Sequence, residues 1–161
     1  MRRLIKGSIA AGIMVLASPT AALADPPEPA NSPEPVDTTP IISTEACPDF
    51  AVKIQLGGKT KTIELPGGRV IATAPGETAT LTNLEDTYNT VSYVITGAFH
   101  ETTLEDGSVV THATGRNILF DPEAGFVLAT GSYSYTFDAE GNLTEPLNGT
   151  GTLTDICAAL S

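Results

Sequence analysis

Hydrophobic and polar residues alternate along most of the chain after residue 47, and the alternation is clearest in Val91–Gly115. Successive side chains of a strand point to opposite faces, so this period of two predicts strands and not helices. Two arms rich in threonine and valine flank Glu105-Asp106-Gly107. Glycine accepts the left-handed backbone conformation that closes a three-residue hairpin loop, so these residues predict a long central hairpin.

Closure of this loop with Leu104 opposite Ser108 fixes the pairing of the two arms, because strand register follows from loop length. The predicted cross-strand pairs are Phe99 with Ala113, His100 with His112, and Thr102 with Val110. One face of the first arm is more apolar than the other and is the expected core face. It carries Val91, Tyr93, Ile95, Gly97 and Phe99.

Two further loops have the same turn chemistry, Pro66-Gly67-Gly68 and Ala139-Glu140-Gly141. The predicted pairs around them are Leu65 with Arg69, Ile63 with Ile71, Phe137 with Leu143, and Tyr133 with Leu147. In all three loops the turn residues and the hydrophobic register agree. That agreement favours a fold built from antiparallel hairpins.

The complete pattern predicts eight strands with short connections. They are Phe50–Leu56, Thr60–Leu65, Arg69–Ala74, Thr78–Asn83, Val91–Thr103, Val109–Ile118, Phe126–Asp138 and Asn142–Thr154. Gly131 is expected to mark a bulge or a bend, and only Leu84–Asn89 and Leu119–Gly125 are long connections. This order predicts a single all-β domain, an antiparallel eight-stranded meander closed as a barrel, with a β-sandwich as the alternative.

The first 24 residues have the organisation of a signal peptide. Arg2, Arg3 and Lys6 form a basic start, an apolar run covers Ile9–Ala17, and Ala22-Leu23-Ala24 matches a cleavage site. The alternative is a membrane anchor, but the apolar run is shorter than the roughly 20 residues that a spanning helix needs. We therefore expect residues 1–24 to be a signal peptide and the protein to be secreted to the extracellular space.

Residues 25–46 are rich in proline and acidic residues and contain no lysine or arginine. Proline removes backbone donors and like charges repel, so we expect a disordered, extended tail. A spacer or a ligand for a proline-recognition groove is the functional alternative. The predicted organisation is thus a signal peptide (1–24), a tail (25–46) and an all-β domain (47–161).

Cys47 and Cys157 are the two cysteines of the chain, and they bracket the predicted domain. In an exported protein, two cysteines without neighbouring metal ligands predict a disulfide bond. The bond requires Cα atoms within about 7 Å of each other. It would therefore bring the first and last strands together, which favours closure of the sheet.

Three segments of the predicted domain, Phe99–Gly107, Ala113–Asn117 and Asp155–Cys157, are distinctive in sequence. On these segments, most of the predicted domain resembles a family of small exported all-β proteins from actinomycetes. No activity is known for that family. The resemblance therefore assigns no catalytic residue.

His100 and His112 are the candidate metal ligands of the predicted sheet, because they lie opposite each other on its more polar face. Opposed side chains come within about 5 Å, close enough for two imidazoles to share a metal ion. A zinc site normally takes three or four protein ligands. The alternative is a surface pair without a metal.

The end of the sixth predicted strand and the loop Leu119–Gly125 that follows it carry the most distinctive surface residues. We interpret Arg116, Asn117 and Phe120 as candidate ligand-binding residues, because irregular loops at the end of a barrel or sandwich often carry binding residues. The alternative is structural: Phe120 fills the barrel end, and Arg116 pairs with an acidic side chain.

The charge balance limits the partners. The chain has 8 basic and 19 acidic residues and a formal net charge of −11, which becomes −14 without the three basic residues of the predicted signal peptide. Nucleic acid and anionic membranes recruit Lys and Arg, so we expect no nucleic-acid partner. Five Phe and four Tyr are too few for the aromatic girdles of a membrane barrel, so no integral membrane association is expected. We expect a monomer whose partner is a small molecule or a protein.

No catalytic motif stands out, so the sequence favours an exported, soluble, non-enzymatic β-domain with a binding or structural role and no cofactor. The alternative is a barrel enzyme, of the lipocalin-like isomerase or hydrolase type, with an interior polar pocket. Its candidate residues would be Tyr93, Tyr133, Tyr135 or an inward-facing acid. That alternative depends on an analogy between folds.

Overall fold

The computed structural model describes residues 32–161. The predicted signal peptide and the first residues of the predicted tail lie outside the described residues. No helix within 32–161 has the length and apolar composition to cross a membrane.

The described part of the chain consists of strands and one short C-terminal helix. In chain order they are β1 (Glu34–Pro35), β2 (Ile41–Ser43), β3 (Val52–Gly57), β4 (Lys59–Leu65), β5 (Arg69–Thr73), β6 (Thr78–Asn83), β7 (Thr90–Val94), β8 (Ala98–Thr103), β9 (Val109–Asp121), β10 (Gly125–Phe137), β11 (Leu143–Asp155) and α1 (Ile156–Ala159). Alternation of apolar and polar residues over short segments produces this all-β content, as predicted.

The strands form two antiparallel sheets. The seven-stranded sheet has the order β1-β4-β5-β8-β9-β10-β11, and the four-stranded sheet has the order β2-β3-β6-β7. The antiparallel all-β fold is therefore confirmed, but the predicted eight-stranded closed barrel is wrong. The described strands form two open sheets, as in the sandwich alternative, since the chain passes from one sheet to the other instead of continuing a single meander.

The passage between the sheets divides the predicted strand Val91–Thr103. Its first part, β7, pairs with β6, whereas its second part, β8, pairs with β5 and β9. Residues 95–97 connect the two parts, and a Cβ atom at Gly97 would overlap the Asn117 side chain. Alternation alone did not reveal this division, because it continues unbroken from β7 into β8.

The predicted register around the three hairpin loops is largely confirmed. The Leu104 N–H donates to the Ser108 carbonyl at 2.8 Å, and the adjoining strands pair as follows. The confirmed pairs are Phe99–Ala113, His100–His112, Thr102–Val110, Leu65–Arg69, Ile63–Ile71 and Phe137–Leu143.

The structure overturns the predicted partner of Tyr133 in β10 and the predicted bulge at Gly131. Tyr133 pairs with Gly149 and not with Leu147, because the β10–β11 ladder shifts twice between Ser134 and Phe137. Each shift places an extra residue on β11, so a prediction from a regular ladder is wrong by two residues. Gly131 does not mark a bulge, since the ladder is regular at its pairs with both neighbouring strands.

The core has two parts, one on each face of the seven-stranded sheet. The first lies between the sheets and contains Cys47, Val52, Leu81, Phe126, Leu128, Ile156 and Leu160. The second lies on the opposite face of β9 and β10 and contains Ala113, Leu119, Val127, Ala129 and Tyr133. Strands β9 and β10 therefore bury residues on both faces, which explains their long apolar runs.

The described part of the predicted tail differs from the expected disordered chain. Strand β1 pairs with β4, and β2 pairs with β3. These pairings could not be predicted from a segment of alternating proline and acidic residues, because each strand is only two or three residues long. Cys47 and Cys157 form the predicted disulfide, with Cα atoms 5.6 Å apart. The bond joins the loop after β2 to α1 and does not close a barrel.

Candidate functional site

Strand β9 is longer than its neighbour β8, and this difference leaves part of β9 with a partner on one side only. The ladder with β10 extends to Asp121, whereas the ladder with β8 ends at Thr114. Beyond it, the Gly97 N–H donates to the Arg116 carbonyl at 3.0 Å. Within residues 32–161, no strand pairs with the other side of Asn117–Asp121. We call these five residues the free edge of β9.

The direction of the backbone groups at this edge follows from the ladder. In an antiparallel pair, alternate residues of a strand direct both N–H and C=O towards the same neighbour. Ser108 and Arg116 bond towards β8, and the β9–β10 register has no shift from Val109 to Asp121. Ile118 and Phe120 therefore direct their N–H and C=O groups away from β10.

Three pockets of about 200–240 Å³ each adjoin the free edge. The inter-sheet pocket lies beside Ile54, Leu56, Glu77, Ile95, Phe99, Asn117 and Ile118. The turn pocket lies beside Phe99, Ile118, Phe120, Tyr135, Leu143 and Leu147. The rim pocket lies beside Ser43, Glu45, Ala46, Ile54, Phe120 and Phe126.

The pockets share walls, and the shared residues lie at or beside the free edge. Ile118 and Phe99 line both the inter-sheet and the turn pocket. Phe120 lines the turn and rim pockets, and Ile54 lines the rim and inter-sheet pockets. Phe120 is 62% exposed, and Ile41, which pairs with Ile54, is 53% exposed. The three pockets thus form one apolar region around the free edge.

Two polar groups face the inter-sheet pocket. Burial raises the pKa of the Glu77 carboxyl. Asn117 is buried and its Nδ2 donates to the Thr114 carbonyl at 3.0 Å, which leaves the Oδ1 atom as an acceptor. A group with hydrogen-bond donors, above all a cation, would suit this pocket.

Asp121 ends the free edge and holds the surrounding backbone in place. Its Oδ2 accepts the Leu147 N–H at 2.7 Å, and its Oδ1 accepts the N–H groups of Glu123 and Ala124, each at 2.9 Å. Burial raises the pKa of Asp121, but these donors outweigh it and hold the pKa below its usual range. Asp121 thus ties the β9–β10 turn to the irregular part of β11.

We predict that Asp121→Asn lowers the free energy of unfolding at neutral pH by about 2–3 kcal/mol, because an amide NH₂ would face a buried N–H donor. The folded-state pKa of Asp121 lies below the unfolded one, so its contribution is complete above the unfolded value, near 4. It is lost as pH falls through the folded value. Urea unfolding at pH 7 and pH 3 should show the difference between wild type and variant shrinking. A pH-independent difference would contradict this role. Asp86→Asn, in an exposed loop, is the control.

The structure separates the three predicted ligand-binding residues. Arg116 and Asn117 lie in a strand, as predicted, but Phe120 lies in the same strand and not in a loop, because β9 continues to Asp121. The predicted loop Leu119–Gly125 is therefore wrong. Asn117 faces the inter-sheet pocket, and Phe120 faces the turn and rim pockets. Arg116 is half-buried and lines none of the three. Asp121-Pro122 suggested a loop, but the turn takes only residues 122–124.

The structure places His100 opposite His112, as predicted. The Nδ1 and Nε2 atoms of His112 form hydrogen bonds with the hydroxyl groups of Ser134 and Ser132, at 2.8 and 3.2 Å. Among residues 32–161, no group of three His, Cys, Asp or Glu side chains could hold a metal ion. The histidine pair thus lacks the further ligands that a zinc site takes.

The three tyrosines of the enzyme alternative do not share a pocket. Tyr93 packs against the core between the sheets, and Tyr133 is buried in the core on the other face. Tyr135 lines the turn pocket, where burial is the main cause of its raised pKa, and it stacks edge-on against Phe137. These positions are those of packing residues.

Sequence reasoning did not identify Glu77 or Ile54 as site residues. Glu77 follows Pro75-Gly76, where an acidic residue is an ordinary turn residue. Ile54 has the alternation expected of any core strand. Only the approach of the two sheets makes them walls of one pocket.

Comparison of the chain with protein-family models, with curated proteins and with solved structures finds no match.

Proposed function

We propose that this protein is an exported, non-enzymatic binding protein that takes up apolar groups of a ligand around the free edge of β9. One observation carries the proposal: three mainly apolar pockets adjoin the same edge, and each pair of pockets shares at least one wall residue. The shared residues are Ile54, Phe99, Ile118 and Phe120. Apolar concave surfaces with a few polar groups are the usual form of ligand sites.

The size of the pockets limits the ligand. Each has about 200–240 Å³, whereas sites for drug-sized molecules usually have about 300 Å³ or more. The ligand would therefore extend over more than one pocket. Its apolar groups would contact Ile118 and Phe120, and a hydrogen-bond donor would reach Glu77 or the Asn117 Oδ1.

Three features support export. The Cys47–Cys157 disulfide is of the kind that persists in oxidising compartments. The predicted signal peptide and the resemblance to small exported proteins of actinomycetes agree with it.

Titration with a neutral, apolar fluorescent probe tests the binding role. We expect saturable binding and a roughly five- to tenfold weaker affinity for Phe120→Ala, since loss of an aromatic contact of this kind removes about 1 kcal/mol or more. Phe120 is 62% exposed, so its removal should leave the fold intact. Tyr88→Ala is the matched control, because Tyr88 is 96% exposed and lines none of the three pockets. Equal affinities of the two variants, or no saturable binding, would overturn the proposal.

A further inference from the structure

We propose that the free edge of β9 binds an extended peptide segment of another protein, with alternating apolar and basic side chains, by strand addition. This inference rests on the proposed function, since the same pockets would receive the side chains of the peptide. It adds the backbone of β9 as the second element of recognition and names the chemical class of the partner.

The backbone supplies the first argument. Ile118 and Phe120 together direct two N–H and two C=O groups away from β10, and no strand within residues 32–161 pairs with them. Unpaired groups at a sheet edge are a template for another strand. At about 3.4 Å per residue, the five residues of the edge span about 17 Å and match a peptide of five or six residues.

The pockets supply the second argument. In an added strand, residues i and i+2 point to the same face and lie about 7 Å apart. The turn pocket lies mainly on the face of β9 that carries Leu119, whereas the rim and inter-sheet pockets lie mainly on the side of the core between the sheets. Apolar side chains of the peptide would therefore enter the turn pocket, and the alternate side chains would reach the rim and inter-sheet pockets. Main-chain hydrogen bonds with pockets for alternate side chains are the usual features of recognition by strand addition.

The carboxylates around the free edge indicate that the side chains between the apolar residues of the peptide are basic. Glu45 lines the rim pocket, Glu77 lines the inter-sheet pocket, and Glu123 follows the free edge in the turn. Arg116 directly precedes the free edge in the chain, and the whole chain has a formal net charge of −11. Lysine or arginine side chains of a partner would complement these carboxylates and would speed association.

The same charges argue against a second copy of this chain at the edge. Two copies of the chain could pair their free edges in antiparallel fashion, with Ile118 of one copy opposite Phe120 of the other. This pairing would bring together two chains with the same acidic excess, and repulsion between like charges opposes association. Self-association through the edge is therefore an outcome that would overturn the proposal.

Fluorescence anisotropy with a labelled eight-residue peptide that alternates lysine with valine or isoleucine tests the inference. We expect binding that weakens with salt and that drops at least tenfold further in Phe120→Pro than in Phe120→Ala. Both variants lose the aromatic ring, but only proline removes the outward N–H, and that N–H is not part of the β10 ladder. Glu45→Gln with Glu77→Gln should weaken binding and reduce its salt dependence.

A second arm uses the wild-type protein and does not depend on how well Phe120→Pro folds. N-methylation of alternate peptide residues in one register should abolish binding, and methylation in the other register should not, because an added strand bonds on one side only. Equal effects of the two registers would overturn strand addition, as would concentration-dependent dimers in sedimentation that vanish in Phe120→Pro. If the apolar probe binds and no peptide does, this inference fails alone. If neither binds, the proposed function fails as well.

Discussion

Removal of the Cys47–Cys157 disulfide is expected to lower the free energy of unfolding by about 3–5 kcal/mol. The bond joins residues 110 positions apart, so it strongly restricts the unfolded chain. Cys47 is 1% exposed and belongs to the core between the sheets, and Cys157 packs against that core from α1. The bond thus ties the loop of the four-stranded sheet to the helix that follows the seven-stranded sheet.

Urea unfolding of the Cys47→Ala, Cys157→Ala double variant measures this effect without leaving a reactive thiol. The wild type with an added reductant should unfold at the same denaturant concentration as the variant, whereas the reductant should not affect the variant. Mass spectrometry of the non-reduced protein should show the linked peptides. Two thiols that react with an alkylating agent in the native protein would contradict the bond.

Gly151→Ala is expected to destabilise the protein by about 3–5 kcal/mol, among the largest effects of a single substitution. Gly131 pairs with Gly115 on one side and with Gly151 on the other, so three glycines form a row across β9, β10 and β11. A Cβ atom on Gly151 would overlap the Thr130 carbonyl and lie 2.8 Å from the Gly131 Cα. Its φ of 146° is also strained for any residue with a side chain.

Gly141→Ala separates the steric effect from backbone strain. Gly141 has a φ of 85°, but a Cβ atom there would meet nothing within 4 Å. This control should therefore lose only about 1–2 kcal/mol. Thermal and urea unfolding of both variants measures the two losses of stability. If Gly151→Ala were no less stable than Gly141→Ala, the close approach of β10 and β11 would not matter for stability.

The fold was predictable wherever local chemistry determines it. Turn glycines and alternating apolar residues gave the register around three loops, and the two cysteines gave the disulfide. The paired shifts between Ser134 and Phe137 could not be predicted, because a shift of two residues leaves every side chain on the same face. The pattern of apolar residues in β11 is therefore the same with or without it.

The candidate site was predictable only in part. The sequence predicts Asn117 and Phe120 as candidate ligand-binding residues, and both line pockets at the free edge. The sequence places Phe120 in a loop that begins at Leu119, however, because Asp121-Pro122 is a common turn signal. The Asp121 carboxylate instead accepts three backbone N–H groups, and this holds β9 in a strand up to that residue.

The sequence by itself determined the antiparallel all-β fold, the hairpin loops and the disulfide, since each follows from neighbouring residues or from a single pair. Only the tertiary structure decided that the strands form two sheets. The two sheets result from the passage of the chain between them at residues 95–97 and from the close packing of Gly97 against Asn117. Neither feature can be predicted from the alternation of apolar and polar residues. The free edge of β9 has the same origin, because β7 joins the other sheet and leaves Asn117–Asp121 with a neighbour on one side only.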